Sequence, residues 1–362
     1  MYWIIPLICL PFVAMRPTGK WRLIIGFIFS FCFLFALILC TYRNQVGTDW
    51  DNYYRTFASI GTLPLFQAGY EPLYELVIRL ASNYNFSLLL AFNFLLICIP
   101  TYSAIWKFSP YPLLSLFLLY SYSLNSFGFG YRQDIAISLF FFAFLVLFGK
   151  LSLYYFTLIL ATLVHWSAIV VFFINPLVWF LKACKDPGFL SSLIKLKKIL
   201  LFATFISLLV VLYSLFPQMA KYSKFLDDGV LYRNDLYALV GLLTRLVNTI
   251  IVSLVVLSLQ RSKLTPSQTF FADVLERCSS ALWIGFVIYL FSLPLGEVVQ
   301  RLSRYFDIFS IVAVPLSISF IRTSYVRSCL FIFFVLIASL RIFIFFSILA
   351  PVEFVPYSSY LF

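Results

Sequence analysis

Charge is the scarcest ingredient of this sequence. Only 11% of its 362 residues are Asp, Glu, Lys or Arg, whereas a soluble globular chain has about 25%. There is therefore too little charge to cover a surface that faces water. The single histidine, His165, cannot build a histidine-rich metal site, and the seven cysteines show no CxxC or metal-type spacing. We predict no metal site and no disulfide framework.

Several motifs are missing as well. The sequence has no GxxxxGK[ST], HExxH or GxSxG segment, so ATP-driven, zinc-protease and serine-hydrolase functions lack support. The net charge of +12 would favour nucleic acid as the partner of a soluble protein. In a membrane protein it fits basic cytoplasmic loops instead, and we predict no nucleic-acid partner.

Apolar residues are abundant, at 63% of the chain, and the mean hydropathy is +0.99. Long apolar runs must pair their backbone groups internally when they cross lipid, and helices do so. The sequence predicts an all-α polytopic membrane protein, with residues 1–362 forming a single integral membrane domain. The apolar run 1–15 lacks a basic n-region and is interpreted as a retained span. About twelve transmembrane helices are expected, near residues 2–15, 23–41, 88–106, 111–126, 130–149, 151–164, 166–181, 199–216, 237–259, 278–296, 305–321 and 329–348.

The charge bias of the connecting segments decides the predicted topology. A break of the run 151–181 near His165 puts most of the loop lysines and arginines on one side, which is then cytoplasmic. Both termini and two larger loops, 42–87 and 217–236, fall on the outer side. We therefore expect the chemistry in the outer loops and on the helix ends beneath them.

Arginines within the predicted spans are expensive to insert, by about 2.5–3.5 kcal/mol each, and so are the first candidates for function. Arg132 follows a glycine-containing turn at the outer start of a span, where it either faces an outer cavity or pairs with a carboxylate to hold the helix. Arg245 shares a helical stripe with Gly241 and Asn248, and a ligand site and a structural hydrogen-bond hub both explain it.

A second group of basic residues lies late in the chain. Helical spacing places Glu297, Arg301, Arg304 and Tyr305 on one face. Two guanidinium groups on one face suit a phosphate or pyrophosphate, although an arginine pair bound to lipid headgroups has the same pattern. His165 is either a general base or a hydrogen-bonded cap of a broken helix.

The first outer loop combines acidic side chains with aromatic rings. Its polar and aromatic residues include Arg43, Asp49, Tyr53, Tyr70 and Glu71. Carboxylates beside Tyr and Trp are suited to holding sugars, and the same mixture is typical of a membrane interface.

In their order along the chain, these motifs resemble the EpsG-like family of polysaccharide polymerases, which includes Wzy-type O-antigen polymerases. The resemblance covers nearly the whole chain and rests on Arg43 to Tyr53, Gly69-Tyr70-Glu71-Pro72, Tyr131-Arg132-Gln133, His165-Trp166-Ser167, Arg304-Tyr305-Phe306 and a terminal Pro356-Tyr357.

The resemblance implies a GT-C-like glycosyltransferase of the bacterial inner membrane, with its active site facing the periplasm. The donor and acceptor would be undecaprenyl pyrophosphate-linked glycans, and membrane lipid would surround the chain. An activated donor needs no cofactor, and polymer length leaves room for a chain-length regulator protein. Implied roles are pyrophosphate binding by Arg132, Arg301, Arg304 and Arg245; base catalysis by His165, with Asp49 or Glu71 second; and saccharide binding by Arg43, Tyr53, Tyr70 and Tyr305.

Three other functions remain compatible with the sequence. A flippase or transporter of the same glycan would use intramembrane arginines, but the hydropathy pattern shows no repeated halves. A membrane acyltransferase that modifies surface glycan would use His165 as its base. The O-antigen ligase is the nearest rival, because it also takes a lipid-linked donor.

Overall fold

The computed structural model describes residues 4–46, 50–122, 131–173, 235–292 and 297–344. The predicted span 199–216, the second outer loop up to residue 234, Asp49 and the terminal Pro356-Tyr357 lie outside this part of the chain. Within it the protein is helical, with thirteen α-helices and no strand. This agrees with the predicted all-α membrane fold.

The helices follow one another with short connections. They are α1 (Ile4–Cys9), α2 (Trp21–Thr41), α3 (Trp50–Ser59), α4 (Pro72–Ser82), α5 (Phe86–Phe108), α6 (Pro112–Tyr122), α7 (Tyr131–Val146), α8 (Leu151–Val164), α9 (Asp235–Ser258), α10 (Pro266–Ser292), α11 (Glu297–Asp307), α12 (Ser310–Phe320) and α13 (Ser324–Ile344). Short 3₁₀ helices occupy Leu10–Phe12, Ile60–Thr62, Trp166–Phe173 and Arg261–Lys263.

Five segments of the described chain are long and apolar enough to cross a membrane: Trp21–Thr41, Phe86–Phe108, Gly241–Ser258, Arg301–Phe320 and Ser324–Ile344. The shorter apolar helices α6 and α8 coincide with two further predicted spans. The run 151–181 is broken where the sequence predicts it, because α8 ends at Val164 and a 3₁₀ helix begins at Trp166. The total of twelve spans stays a prediction.

Helices α6 and α12 form the centre of the bundle, and almost every residue of both is buried. Helices α2 and α13 lie at the periphery, where only 28% and 22% of their apolar spans are buried. Helices that are apolar all round belong in the middle of a membrane protein, whereas outward-facing apolar side chains meet lipid.

A proline inside α12 shows how the centre satisfies its backbone. Pro315 has no N–H, so the carbonyl of Ile311, one turn earlier, loses its helical partner. The Ser115 hydroxyl of α6 donates to this carbonyl at 2.6 Å. An unpaired carbonyl would be costly here, and the hydrogen bond also fixes α6 against α12.

The segment predicted as the first outer loop contains regular helical structure. Between residues 42 and 87 it contains α3, a 3₁₀ turn and α4. Helix α4 packs against α5 and α8. This contact brings Glu71 to the end of α8, where His165 lies, and close to Arg132 on α7, which packs against both α5 and α8.

Candidate functional site

Glu71 is the residue around which the site is built. It precedes Pro72, the first residue of α4, and proline at this position holds the residue before it in an extended conformation. Glu71 occupies the N-cap position, but its side chain does not cap the helix. The carboxylate points instead to α7 and α8, where it is buried.

Three donors converge on this carboxylate. The Arg132 guanidinium donates to Oε2 at 2.7 Å, and Nδ1 of His165 lies 2.7 Å from Oε1. The backbone N–H of Trp166 also donates to Oε1 at 3.3 Å. We call Glu71, Arg132 and His165, with Tyr53 and Tyr70, the Glu71 cluster.

The break after α8 makes the histidine contact possible. His165 has extended backbone angles, with φ −154° and ψ 115°, and its N–H bonds to the carbonyl of Ala161. The Trp166 N–H is outside the α-helical hydrogen-bond ladder and so is available to Glu71. This geometry is compatible with both interpretations of His165, as the cap of a broken helix and as a general base.

The charge on Glu71 determines which nitrogen of His165 carries hydrogen. Burial raises the pKa of the Glu71 carboxyl, but the hydrogen bond with His165 and the positive charge of Arg132 outweigh burial and hold this pKa at about 2. An ionised carboxylate only accepts hydrogen bonds, so Nδ1 is the donor. In the neutral ring Nε2 then holds the lone pair, which is the arrangement that a general base requires.

Aromatic rings surround the guanidinium of Arg132. Its Nε donates to the Tyr53 hydroxyl at 3.3 Å, and its Cζ lies 4.6 Å from the centre of the Tyr70 ring. The rings of Tyr53 and Tyr70 are stacked, with centres 5.9 Å apart. Tyr70 fixes the arginine by cation–π contact and Tyr53 by its hydroxyl, while 28% of the Arg132 side chain stays exposed and able to meet a ligand.

Helix α11 borders this cluster from the other side. The Gln133 side chain donates to the backbone carbonyl of Arg301 at 2.9 Å, and the hydroxyls of Ser167 and Tyr305 lie 2.9 Å apart. Arg301 is exposed, Arg304 is half-buried and Tyr305 is buried. The residues that were predicted to share one face of this helix therefore lie in three different environments. The Glu297 side chain lies outside the described part of the chain.

Arg245 belongs to a separate cluster with Asp307 and Tyr289. Its Nε donates to both carboxylate oxygens of Asp307 at 2.9 Å, and its Cζ lies 3.7 Å from the centre of the Tyr289 ring. This is the hydrogen-bond hub that the sequence offers as one of two interpretations. Because Asp307 is the last residue of α11, the hub anchors the helix that carries Arg301 and Arg304.

The remaining predicted residues divide between buried and undescribed positions. Arg43 lies just beyond α2 and is 1% exposed, while Asp49 lies outside the described chain. Sequence reasoning missed Gln133, Ser167 and Asp307 as site residues. A signal was present for all three, since Gln133 and Ser167 stand within motifs that contain a predicted site residue and Asp307 directly follows Arg304-Tyr305-Phe306.

The fold and the site define a class: a helical membrane protein in which a buried carboxylate, a histidine and an arginine meet where α4, α7 and α8 begin or end. The chain belongs to the EpsG family, because the sequence profile of that family matches residues 26–359. This confirms the resemblance and makes the chain a membrane protein of the polysaccharide-polymerase type, similar to glycosyltransferases. No curated protein and no solved structure matches the chain.

Proposed function

We propose that the chain polymerises undecaprenyl pyrophosphate-linked oligosaccharide repeat units into O-antigen or a related surface polysaccharide. The reaction would take place at the periplasmic face of the bacterial inner membrane, in a GT-C-like fold. The observation that carries the proposal is the Glu71–His165 hydrogen bond beside Arg132, in a chain of the EpsG family. A base held by a carboxylate next to a cation suits sugar transfer from a pyrophosphate donor.

In the proposed step, Nε2 of His165 takes the proton of an acceptor hydroxyl. The hydroxyl oxygen then forms a bond to the anomeric carbon of the donor glycan. The bond from that carbon to the pyrophosphate oxygen breaks, and the polyprenyl pyrophosphate leaves with the electron pair. Glu71 orients the ring and stabilises its protonated form; Asp49 is the alternative base.

Arg132, Arg301 and Arg304 are the cations that we assign to the departing pyrophosphate. We assign to Arg245 the supporting role of holding α11 through Asp307. The saccharide would contact Tyr53 and Tyr70 beside Arg132. The predicted contributions of Arg43 and Tyr305 would come from inside the protein, because both side chains are buried. The donor is already activated, so we propose that no metal, nucleotide or other cofactor takes part, and that a chain-length regulator protein is an additional partner.

A polysaccharide gel of the host tests this function. We expect deletion of the gene to abolish the polymer ladder and leave core that carries one repeat unit. The wild-type gene and the Asp51→Asn variant should restore the ladder, because Asp51 is exposed on α3. His165→Ala should not restore it at an equal protein level.

Each alternative function gives a different gel. Core without any repeat unit would indicate a flippase or a ligase. An intact ladder that lacks an acyl group would indicate the acyltransferase. An intact, unmodified ladder would refute the polymerase proposal for that glycan, and full restoration by His165→Ala would refute the role of the base.

A further inference from the structure

The segment that carries Glu71 has two chemically different surfaces. The exposed side chains of α3 are mostly polar, and include Asp51, Asn52 and Arg55. On α4 the exposed stripe is apolar or aromatic instead. Leu80 is 66% exposed, Leu76 lies one turn before it, and Tyr84 follows just beyond the helix. Helix α3 is thus suited to water, whereas this side of α4 is not.

The turn between α3 and α4 extends the apolar surface. Leu63, Leu65 and Phe66 are all exposed. Phe66 has a φ of +63°, which is unfavourable for a bulky residue. The turn thus holds an aromatic ring outward at a conformational cost.

The polar groups of α4 hold this turn from inside. Buried Glu75 accepts the N–H of Phe66 at 2.7 Å and the Arg79 guanidinium at 2.8 Å. Arg79 in turn donates to the carbonyls of Leu63 and Pro64. The hydrogen-bonding capacity of these residues is used within the turn, so the outward surface is left to apolar side chains.

The helices next to α4 also expose apolar side chains. Helix α4 packs against α5 and α8, whose outward side chains include Phe92, Ile99 and Phe156. Trp166, directly after the end of α8, is 58% exposed. Trp and Tyr collect at the boundary between lipid and water, and Trp166 binds Glu71 through its backbone.

We propose that this surface lies in the headgroup region of the bilayer, on the side of the Glu71 cluster. The apolar edge consists of Leu63, Leu65, Phe66, Leu76, Leu80 and Tyr84, and Trp166 anchors it. An amphipathic element with such a face rests in the membrane interface. The apolar edge thereby sets the Glu71 cluster at the depth where lipid phosphates lie. This proposal depends on the chain being a membrane protein and not on its reaction.

Spin labels test the position of the apolar edge in vesicles of phosphatidylethanolamine and phosphatidylglycerol. In a Cys184→Ser, Cys329→Ser background, single labels are placed by Phe66→Cys and Leu80→Cys. Asp51→Cys is the water-facing control and Ile99→Cys the lipid-facing control. We expect the ratio of oxygen to nickel-chelate accessibility at positions 66 and 80 to exceed the value at 51 severalfold and to approach the value at 99.

Two results would overturn the proposal. A ratio at positions 66 and 80 equal to that at 51 would mean that the edge faces water. Low accessibility to both reagents would mean that protein covers it. If a labelled variant fails to fold, Leu65→Cys and Leu76→Cys provide a second pair on the same edge, with the same interpretation.

Discussion

Replacing Glu71 by Gln keeps the size of the side chain and removes its charge. The amide oxygen can accept from Arg132 or from His165. The amide NH₂ then faces either the Arg132 guanidinium, or the Trp166 N–H and a His165 ring that can accept only if its hydrogen moves to Nε2. Each hydrogen bond to a charged group contributes about 1.5–3 kcal/mol, and breaking a buried pair costs about 3–5 kcal/mol. Because the Arg132 side chain is 28% exposed, water offsets part of the loss, so we expect destabilisation of about 3 kcal/mol.

The effect on polymerisation should be larger than stability alone explains. His165 would lose the partner that fixes Nδ1 as the donor, and general-base catalysis contributes about 10²–10⁴-fold to a rate. The assay is the turnover of purified chain with lipid-linked repeat units in detergent, well below the unfolding temperature. We expect kcat to fall by about 10²-fold or more, with KM changed far less.

Glu75→Gln is the matched control for this experiment. Glu75 is as buried as Glu71 and also accepts from an arginine and from backbone N–H groups. The Glu75→Gln variant should therefore lose about as much stability as Glu71→Gln and keep the wild-type kcat. Wild-type kcat in Glu71→Gln, or equal losses of kcat in both variants, would refute the reasoning about the Glu71–His165 pair.

The pH dependence of the free energy of unfolding tests whether the Glu71 interactions favour the ionised carboxylate. Its pKa of about 2 lies below the ordinary 4.5, so the native state favours the carboxylate. The resulting stabilisation is fully present above about pH 4.5 and is lost as the pH falls toward 2. We expect the difference in unfolding free energy between wild type and Glu71→Gln to shrink as the pH falls through that acidic window. A difference that grows on acidification would contradict the conclusion that the native state favours the Glu71 carboxylate.

Substitutions at three further helix contacts test the packing. Arg245→Asp and Asp307→Arg should each lower the free energy of unfolding by about 1–3 kcal/mol and reduce activity. The double exchange should restore both stability and activity. A double variant that folds but stays inactive would favour direct ligand binding by Arg245. Gly285→Ala would place Cβ 2.5 Å from that of Phe306, so calorimetry should show a loss of about 1–3 kcal/mol. Ser115→Ala leaves a buried carbonyl unpaired and should cost about 1–3 kcal/mol in chemical unfolding, whereas Ser115→Thr should retain part of the stability.

Much of the fold was predictable because it follows from hydropathy. The long apolar runs identify α2, α5, α9 and α13, and the polar break in the run 151–181 identifies the end of α8. The helices α3 and α4 were not predicted. They are short and lie in a segment rich in aromatic and polar residues, where apolar run length carries no information and packing against α5 and α8 stabilises the helices.

The residues of the candidate site were predictable from the sequence, but the pairs that they form with one another were not. Sequence chemistry singled out Glu71, Arg132 and His165 one by one, because each is polar in an apolar chain. Which carboxylate meets which cation depends on how the helices pack. Arg132 thus pairs with Glu71, although Asp134 is nearer in sequence, and Arg245 pairs with an acid at the end of another helix.

The position of Glu71 before α4 also constrains the order in which the protein is made. Its partners Arg132 and His165 follow it by 61 and 94 residues. During synthesis the carboxylate therefore leaves the ribosome well before either partner. The segment that carries Glu71 can complete its docking only after α8 has formed, so the Glu71 cluster can assemble only once the helices up to α8 have been made.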